Sequence, residues 1–157
     1  MIKSKTPAMS CTEQVHLVNH SELNGYKRLF GGTLLAWIDE VAGIVARRHA
    51  QSNVTTVAID DLHFIEPAYA NELVVLCGKV THTGRTSMEV CVRSYVERTD
   101  GTRRLINQAY VVMVALDTSE RPAPVPPLDP ETEEEKREYA AGERRRLLRR
   151  QRQEEQY

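Results

Sequence analysis

The hydrophobic positions of this chain change period along its length, and each change marks an element. Cys11, Gln14, Val15, Leu17 and Val18 read as a first strand over Ser10 to Val18, ending in the turn-rich run from Asn19 to Gly25. Phe30-Gly31-Gly32 then introduces the longest helical pattern, which runs to about Ala50. At about 100° per residue, Leu34, Leu35, Trp37, Ile38, Val41, Ile44 and Val45 cover roughly half the circumference. The opposite side carries Ala36, Asp39, Glu40, Gly43, Ala46 and Arg47, and much of it is small enough for another backbone to approach.

After the helix the period becomes 2. Val54 to Phe64 stops at Pro67, and Leu73 to Thr81 stops at Gly84. Between Ser87 and Glu97, Met88, Val90, Val92 and Val96 share one face and Ser87, Glu89, Cys91, Arg93 and Tyr95 the other. Leu105 to Leu116 follows a turn at Asp100-Gly101. One strand, one long helix and four strands with short links predict an α+β fold, a largely antiparallel sheet with the helix across one face.

Pro122, Pro124, Pro126 and Pro127 predict an extended linker over 122–128, which separates a body over 1–121 from a tail over 129–157. Asp129-Pro130 suits a helix start, and Glu133 to Arg137 offers an i,i+4 pair. Charge divides along the same line. Of 21 Lys plus Arg and 22 Asp plus Glu, the tail holds 8 and 9. Residues 129–143 carry 7 acidic and 2 basic groups and 144–157 carry 2 acidic and 6 basic, a polarity that suits the helix macrodipole. With only Tyr139, Leu147 and Leu148 as large apolar residues, the expectation is a solvated, marginal helix unless a partner covers that stripe. An RNA site at Arg144-Arg145-Arg146 and Arg149-Arg150 is the weaker reading.

Balanced charge on the body argues against a nucleic-acid surface spread over the domain. No apolar run reaches the roughly 18 residues of a membrane span and no hydrophobic segment follows Met1-Ile2-Lys3-Ser4-Lys5, so the expectation is a cytoplasmic protein without a membrane partner. Cys11, Cys77 and Cys91 are widely spaced, and the five histidines form no HExxH, so no disulfide framework and no metal site is expected.

Asp39 is the chemical anomaly, a carboxylate half-way along a helix rich in apolar positions. Gly31 and Gly32 mark the helix start, where unpaired N–H groups face outward without side chains, donors suited to a developing oxyanion. Gly32 and Asp39 share a helix face but lie roughly 10 Å apart along the axis, too far to serve one carbonyl carbon. Two antiparallel copies of the helix would bring Asp39 of one chain toward the Gly32 N–H of the other. The small strip at Ala36 and Gly43 permits that approach, which predicts a homodimer with two composite sites.

The run from Leu23 to Glu40, LNGYKRLFGGTLLAWIDE, followed by Phe64-Ile65-Glu66-Pro67 and then Gly84-Arg85-Thr86-Ser87-Met88, resembles the hotdog-fold acyl-CoA thioesterases of the cytosolic acyl-CoA hydrolase group over about residues 8–126. The resemblance implies a long central helix wrapped by a curved antiparallel sheet, dimers with facing helices, and trimers of dimers. It implies hydrolysis of acyl-CoA to free acid and CoA without a cofactor, with Asp39 as general base or nucleophile. Asn24 and the Gly32 N–H would assist from the neighbouring chain, and Arg85, Thr86 and Ser87 would lie near the CoA moiety. Lys27 stands where small or varied residues are expected in relatives. Glu40 reads as a solvent or interface carboxylate, Trp37 and Phe30 as core or dimer contacts, and His63 as a local hydrogen-bonding group. Hotdog hydratases would use a histidine near the helix start, and none lies between His20 and His49. The alternative kept is a non-catalytic acyl-CoA binding or sensing module.

Overall fold

Helix α1, Gly31–Ala50, lies across a five-stranded antiparallel sheet in the computed structural model, which describes residues 1–156. The strands are β1 (Thr12–Leu17), β2 (Asn53–Phe64), β3 (Leu73–Thr83), β4 (Ser87–Glu97) and β5 (Arg103–Leu116), in the spatial order β1-β3-β4-β5-β2. A second helix, α2, spans Glu133–Glu154, and Tyr157 of the expected tail lies outside the described residues.

Leu34, Trp37, Ile38, Val41 and Val45 of α1 are buried with Val74, Leu76, Val80, Val90, Val92, Val111 and Met113 from the inner face of the sheet. Leu35 and Ile44 stay partly exposed, so the buried stripe is narrower than half the helix. The helix packs tightly on the sheet at Gly78, where a Cβ would stand 2.7 Å from Val41 Cγ1. At its C-terminus, Lys5 Nζ donates to the carbonyls of Arg48 (3.0 Å) and His49 (2.9 Å), two groups the helix itself cannot satisfy.

The outer face corrects the expectation of a solvated tail. Helix α2 docks there, so β4 is buried on both sides: Glu89 and Cys91 are each 2% exposed. Arg145 donates to both Glu89 carboxylate oxygens (3.0 and 2.8 Å) and lies 3.7 Å over the Tyr110 ring centroid. Arg93 meets Glu138, and Arg149 and Arg152 meet Asp60 of β2. Tyr139 rests on His82 at 4.7 Å between ring centroids, whereas Leu147 and Leu148 remain exposed. The partner that covers the helix is its own sheet.

The helix start also differs from the Asp129-Pro130 expectation. Thr132 is the N-cap, its hydroxyl accepting from Glu135 N–H at 3.1 Å while the Glu135 carboxylate accepts from Thr132 and Glu131 N–H. Asp129 N–H pairs instead with the Lys5 carbonyl, which keeps Asp129 and Pro130 extended. Glu133 pairs with Lys136 rather than Arg137. The proline-rich stretch is a fastened strap: Val125 N–H donates to the Arg85 carbonyl (3.0 Å), Leu128 N–H to Thr83 Oγ1 (3.0 Å), and Lys5 N–H to the Pro127 carbonyl (3.0 Å).

Candidate active site

The loop before α1 is built around Asn24. Its Oδ1 accepts the N–H groups of Tyr26 (2.9 Å) and Arg28 (3.2 Å), its own N–H donates to the Arg28 carbonyl (2.7 Å), and Lys27 takes the left-handed conformation at φ 60°. This commits the amide oxygen and leaves the Asn24 NH2 group without a partner among the described residues, a donor held ready for a ligand. Leu29 N–H to the Ala68 carbonyl (2.8 Å) ties the loop to the segment that follows β2. Asn24, Gly31, Leu34, Phe64, Glu66 and Pro67 thereby line one pocket of about 310 Å³, bringing two of the three sequence motifs together. Arg104 stiffens its wall, donating to Glu66 (2.6 Å), Glu72 (3.3 Å) and the Pro67 carbonyl (3.2 Å).

Phe30 caps α1 without a side-chain hydrogen bond, so the Gly31 and Gly32 N–H groups have no partner among the described residues. A Cβ on Gly32 would lie 2.5 Å from Phe30 Cε1, which keeps the position a glycine and its N–H uncovered. Phe30 itself is 55% exposed and packs over the helix start rather than in the core, while Trp37 is buried and stacks on His16 at 4.1 Å.

Asp39 is half-buried and does not line that pocket. The carboxylate and the helix-start donors of one chain are separate, as the axial rise requires. Thr56 of β2 donates to Asp39 Oδ1 at 2.6 Å, a contact that sequence reasoning did not single out. It pairs with Met113 of β5, which pairs with Met88 of β4, and the register of β2 shifts immediately after Thr56. A Thr55-Thr56 pair in a strand carries no sign of which threonine faces the helix, so only the fold assigns it.

The third motif lies at the β3–β4 turn that leads into Met88, outside the Asn24 pocket. Arg85 is exposed and takes no hydrogen-bond partner among the described residues; the hydroxyls of Thr86 and Ser87 are likewise unpartnered. The strap described above and Ala115 N–H on the Thr86 carbonyl (3.0 Å) hold the turn. Glu40 is exposed, and His63 bonds to Asp61 at 2.7 Å, as expected of each. Among the described residues no three His, Cys, Asp or Glu side chains are grouped to hold a metal, and no helix is long and apolar enough to cross a membrane.

The chain resembles known proteins in sequence and in fold. The thioesterase superfamily domain matches residues 26–101. An uncharacterized acyl-CoA thioester hydrolase of Bacillus subtilis is 39% identical over 115 residues, covering 73% of this chain and 67% of that one. The chain spans 36% of the length of the cytosolic acyl coenzyme A thioester hydrolase of Rattus norvegicus, to which it is 33% identical over 85% of its own length. The acyl-CoA hydrolase of Staphylococcus aureus, solved in complex with butyryl coenzyme A, coenzyme A and coenzyme A disulfide, superposes with a TM-score of 0.92 at 31% identity, covering 98% of this chain and 94% of that one. That enzyme has also been solved with an asparagine, an aspartate or a threonine replaced by alanine. An apo-hexameric acyl-CoA thioesterase gives a TM-score of 0.92 at 43% identity over 96% of this chain and 97% of its own. The chain therefore belongs to the thioesterase superfamily, among the hotdog-fold acyl-CoA thioester hydrolases.

Proposed function

We infer that this chain hydrolyses acyl-CoA to a free carboxylic acid and CoA, at composite sites formed by two antiparallel copies of α1. The observation that carries the reading is the pairing of a positioned carboxylate with ready donors. Thr56 fixes Asp39 at 2.6 Å, while the Asn24 NH2 group, at a pocket wall, and the Gly32 N–H have no partner among the described residues. The three residues replaced in the Staphylococcus aureus variants have the same types, order and spacing as Asn24, Asp39 and Thr56 here, which supports the assignment.

Thioester hydrolysis needs a nucleophile, stabilisation of the oxyanion, and departure of a thiolate that demands little acid assistance. Asp39 acts as general base toward water, or itself attacks the carbonyl carbon. The Gly32 N–H of the second copy faces the developing oxyanion, a contact worth about 3 kcal/mol in the transition state, and the Asn24 amide orients water or thioester. Water, a carboxylate and N–H donors supply every step, so the reaction calls for no cofactor.

The CoA moiety lies along Arg85, Thr86 and Ser87. The free edge of β2 carries the exposed apolar groups Val57, Ile59 and Phe64, which support a second copy on that side. In this reading the homodimers assemble as a trimer of dimers in the cytoplasm, with residues 1–121 as catalytic body, 122–128 as strap and 129–157 as tail. The relatives favour hydrolysis over sensing. Release of free thiol from a panel of acyl-CoAs tests the function: wild type should turn over, and Asp39→Ala should lose roughly a hundredfold or more in kcat. Full activity of Asp39→Ala would refute the mechanism.

A further inference from the structure

The inward face of α2 is an internal comparison of arginines. Arg145, Arg149 and Arg152 each meet a carboxylate on the sheet, Glu89 or Asp60, at 2.8 to 3.4 Å. Arg146 does not. Its one carboxylate neighbour is Glu143 at 3.6 Å, and Glu143 is already the acceptor of His82 Nε2 at 2.7 Å. The guanidinium lies instead against the β3–β4 turn, with Nε 3.5 Å and Nη2 3.7 Å from where a Cβ on Gly84 would be. Arg85 projects from the same turn without a partner, and neither the Arg85 nor the Thr86 N–H is engaged among the described residues. Two guanidiniums, that of Arg146 only loosely paired with Glu143, and two free backbone donors thus lie at one glycine turn that the strap holds in place. Such a set supplies the positive charge and the N–H donors that a phosphate group takes.

We propose that Arg146 of helix α2, together with Arg85 and the Gly84–Thr86 turn, clamps the phosphorylated end of CoA, making the C-terminal helix part of the substrate site. The proposal rests on the acyl-CoA reading above and adds a specificity-determining residue from outside the motif-bearing body. The ion pairs of Arg145 and Arg149 with the buried Glu89 hold the helix in register, and Arg146, which no carboxylate of the sheet engages, faces the turn and is the charge offered to the ligand.

Steady-state kinetics of the full-length chain with an acyl-CoA and with the same acyl group on pantetheine, which lacks the phosphates, tests it. Arg146→Ala should raise KM for acyl-CoA about tenfold with kcat little changed, erasing most of the wild-type preference over the pantetheine thioester. Arg146→Lys should recover part of that loss. Arg150→Ala removes the same charge from an exposed position of the same helix and should leave the preference intact. Equal KM increases for both substrates, or an effect of Arg150→Ala as large as that of Arg146→Ala, would overturn the clamp. Calorimetric binding of CoA, which needs no turnover, separates the two readings. Wild type that binds CoA more tightly than Arg146→Ala does, yet hydrolyses no thioester, removes the hydrolase and keeps the clamp. Equal CoA affinity in the two proteins removes the clamp.

Discussion

Thr56 on β2 holds the carboxylate of Asp39, half-way along α1, in a 2.6 Å hydrogen bond. The bond crosses from the sheet to the helix and restricts the rotation of a side chain that would otherwise be free on a partly open flank. A base so held loses little orientational entropy on reaching the transition state. Thr56→Ala should therefore lower kcat by about tenfold while leaving KM nearly unchanged, and Thr56→Ser, which keeps the hydroxyl, should restore most of the rate. A fall in thermal stability without any change in kcat would assign Thr56 to structure alone.

Gly32 is bounded by Phe30. An added methyl group would meet the Phe30 ring at 2.5 Å and push it from the helix start. Gly32→Ala keeps the N–H but crowds its approach with the methyl group and the displaced ring, and is expected to cost about tenfold in kcat, less than full loss of an oxyanion donor. The helix propensity of alanine should keep its melting temperature close to that of wild type. Comparing kcat with the midpoint of thermal unfolding checks both parts.

On the outer face, Gly142 of α2 packs against β3, where a Cβ would stand 2.6 Å from His82 Cβ and 2.9 Å from Glu89 Oε1. These are inflexible or ion-paired neighbours. Although alanine favours a helix by about 1 kcal/mol over glycine, Gly142→Ala should destabilise by roughly 1–3 kcal/mol because the helix must lift from the sheet. Chemical denaturation provides the measurement.

The same interface sets a pH dependence. Burial pushes the Glu89 carboxyl upward, but hydrogen bonds from Arg145 and Thr81 and the charge of Arg149 outweigh it and leave Glu89 below the usual carboxylate value. Asp60 is lowered in the same way, burial being outweighed by Arg152 and Arg149. Burial also holds the His82 imidazole below its ordinary value in spite of Glu143 and Glu89 nearby. Each group binds fewer protons folded than unfolded, so the stability it contributes is complete above its unfolded value and lost as pH falls through its folded one. Stability of the docked α2 should begin to fall below about pH 6.5, where an unfolded imidazole takes up the proton that folded His82 resists, and again below about pH 4, where unfolded carboxylates take up protons that Asp60 and Glu89 resist. Hydrogen exchange of the α2 amides should rise in those two steps; protection that stays level from pH 7.5 to 4 would contradict the assignment.

How much of this was legible beforehand depended on the range of the interactions. The span of α1, the order of the strands and the Asn24, Gly32 and Asp39 set follow from local period and from motifs. By contrast, α2 reads as a solvated helix because its surface is charged, and the outer residues of β4 read as an ordinary polar face. Only the fold brings Arg145 to Glu89, 56 positions apart in sequence, and makes each the other's counterion. Thr56 shows the same limit: it lies in no distinctive local pattern and meets Asp39 only through the fold, while Arg146 reads locally as one of a run of arginines and only the docked helix brings it to the Gly84 turn. The start of α2 was misplaced because Asp129 has a competing backbone partner in Lys5, 124 positions earlier, which leaves Thr132 as the cap.

In the proposed mechanism one catalytic site is built from two chains, with Asp39 from one and Asn24 and the Gly32 N–H from the other. Co-expression of differently tagged Asp39→Ala and Asn24→Ala chains, with isolation of the mixed assemblies and assay of thiol release, tests it most directly. Each variant alone should be nearly inactive, and each isolated mixed dimer should regain about half of wild-type sites, because one of its two composite sites keeps both residues; the unfractionated random population would regain about a quarter. Mixed assemblies that form fully yet stay as inactive as either parent would contradict a shared site.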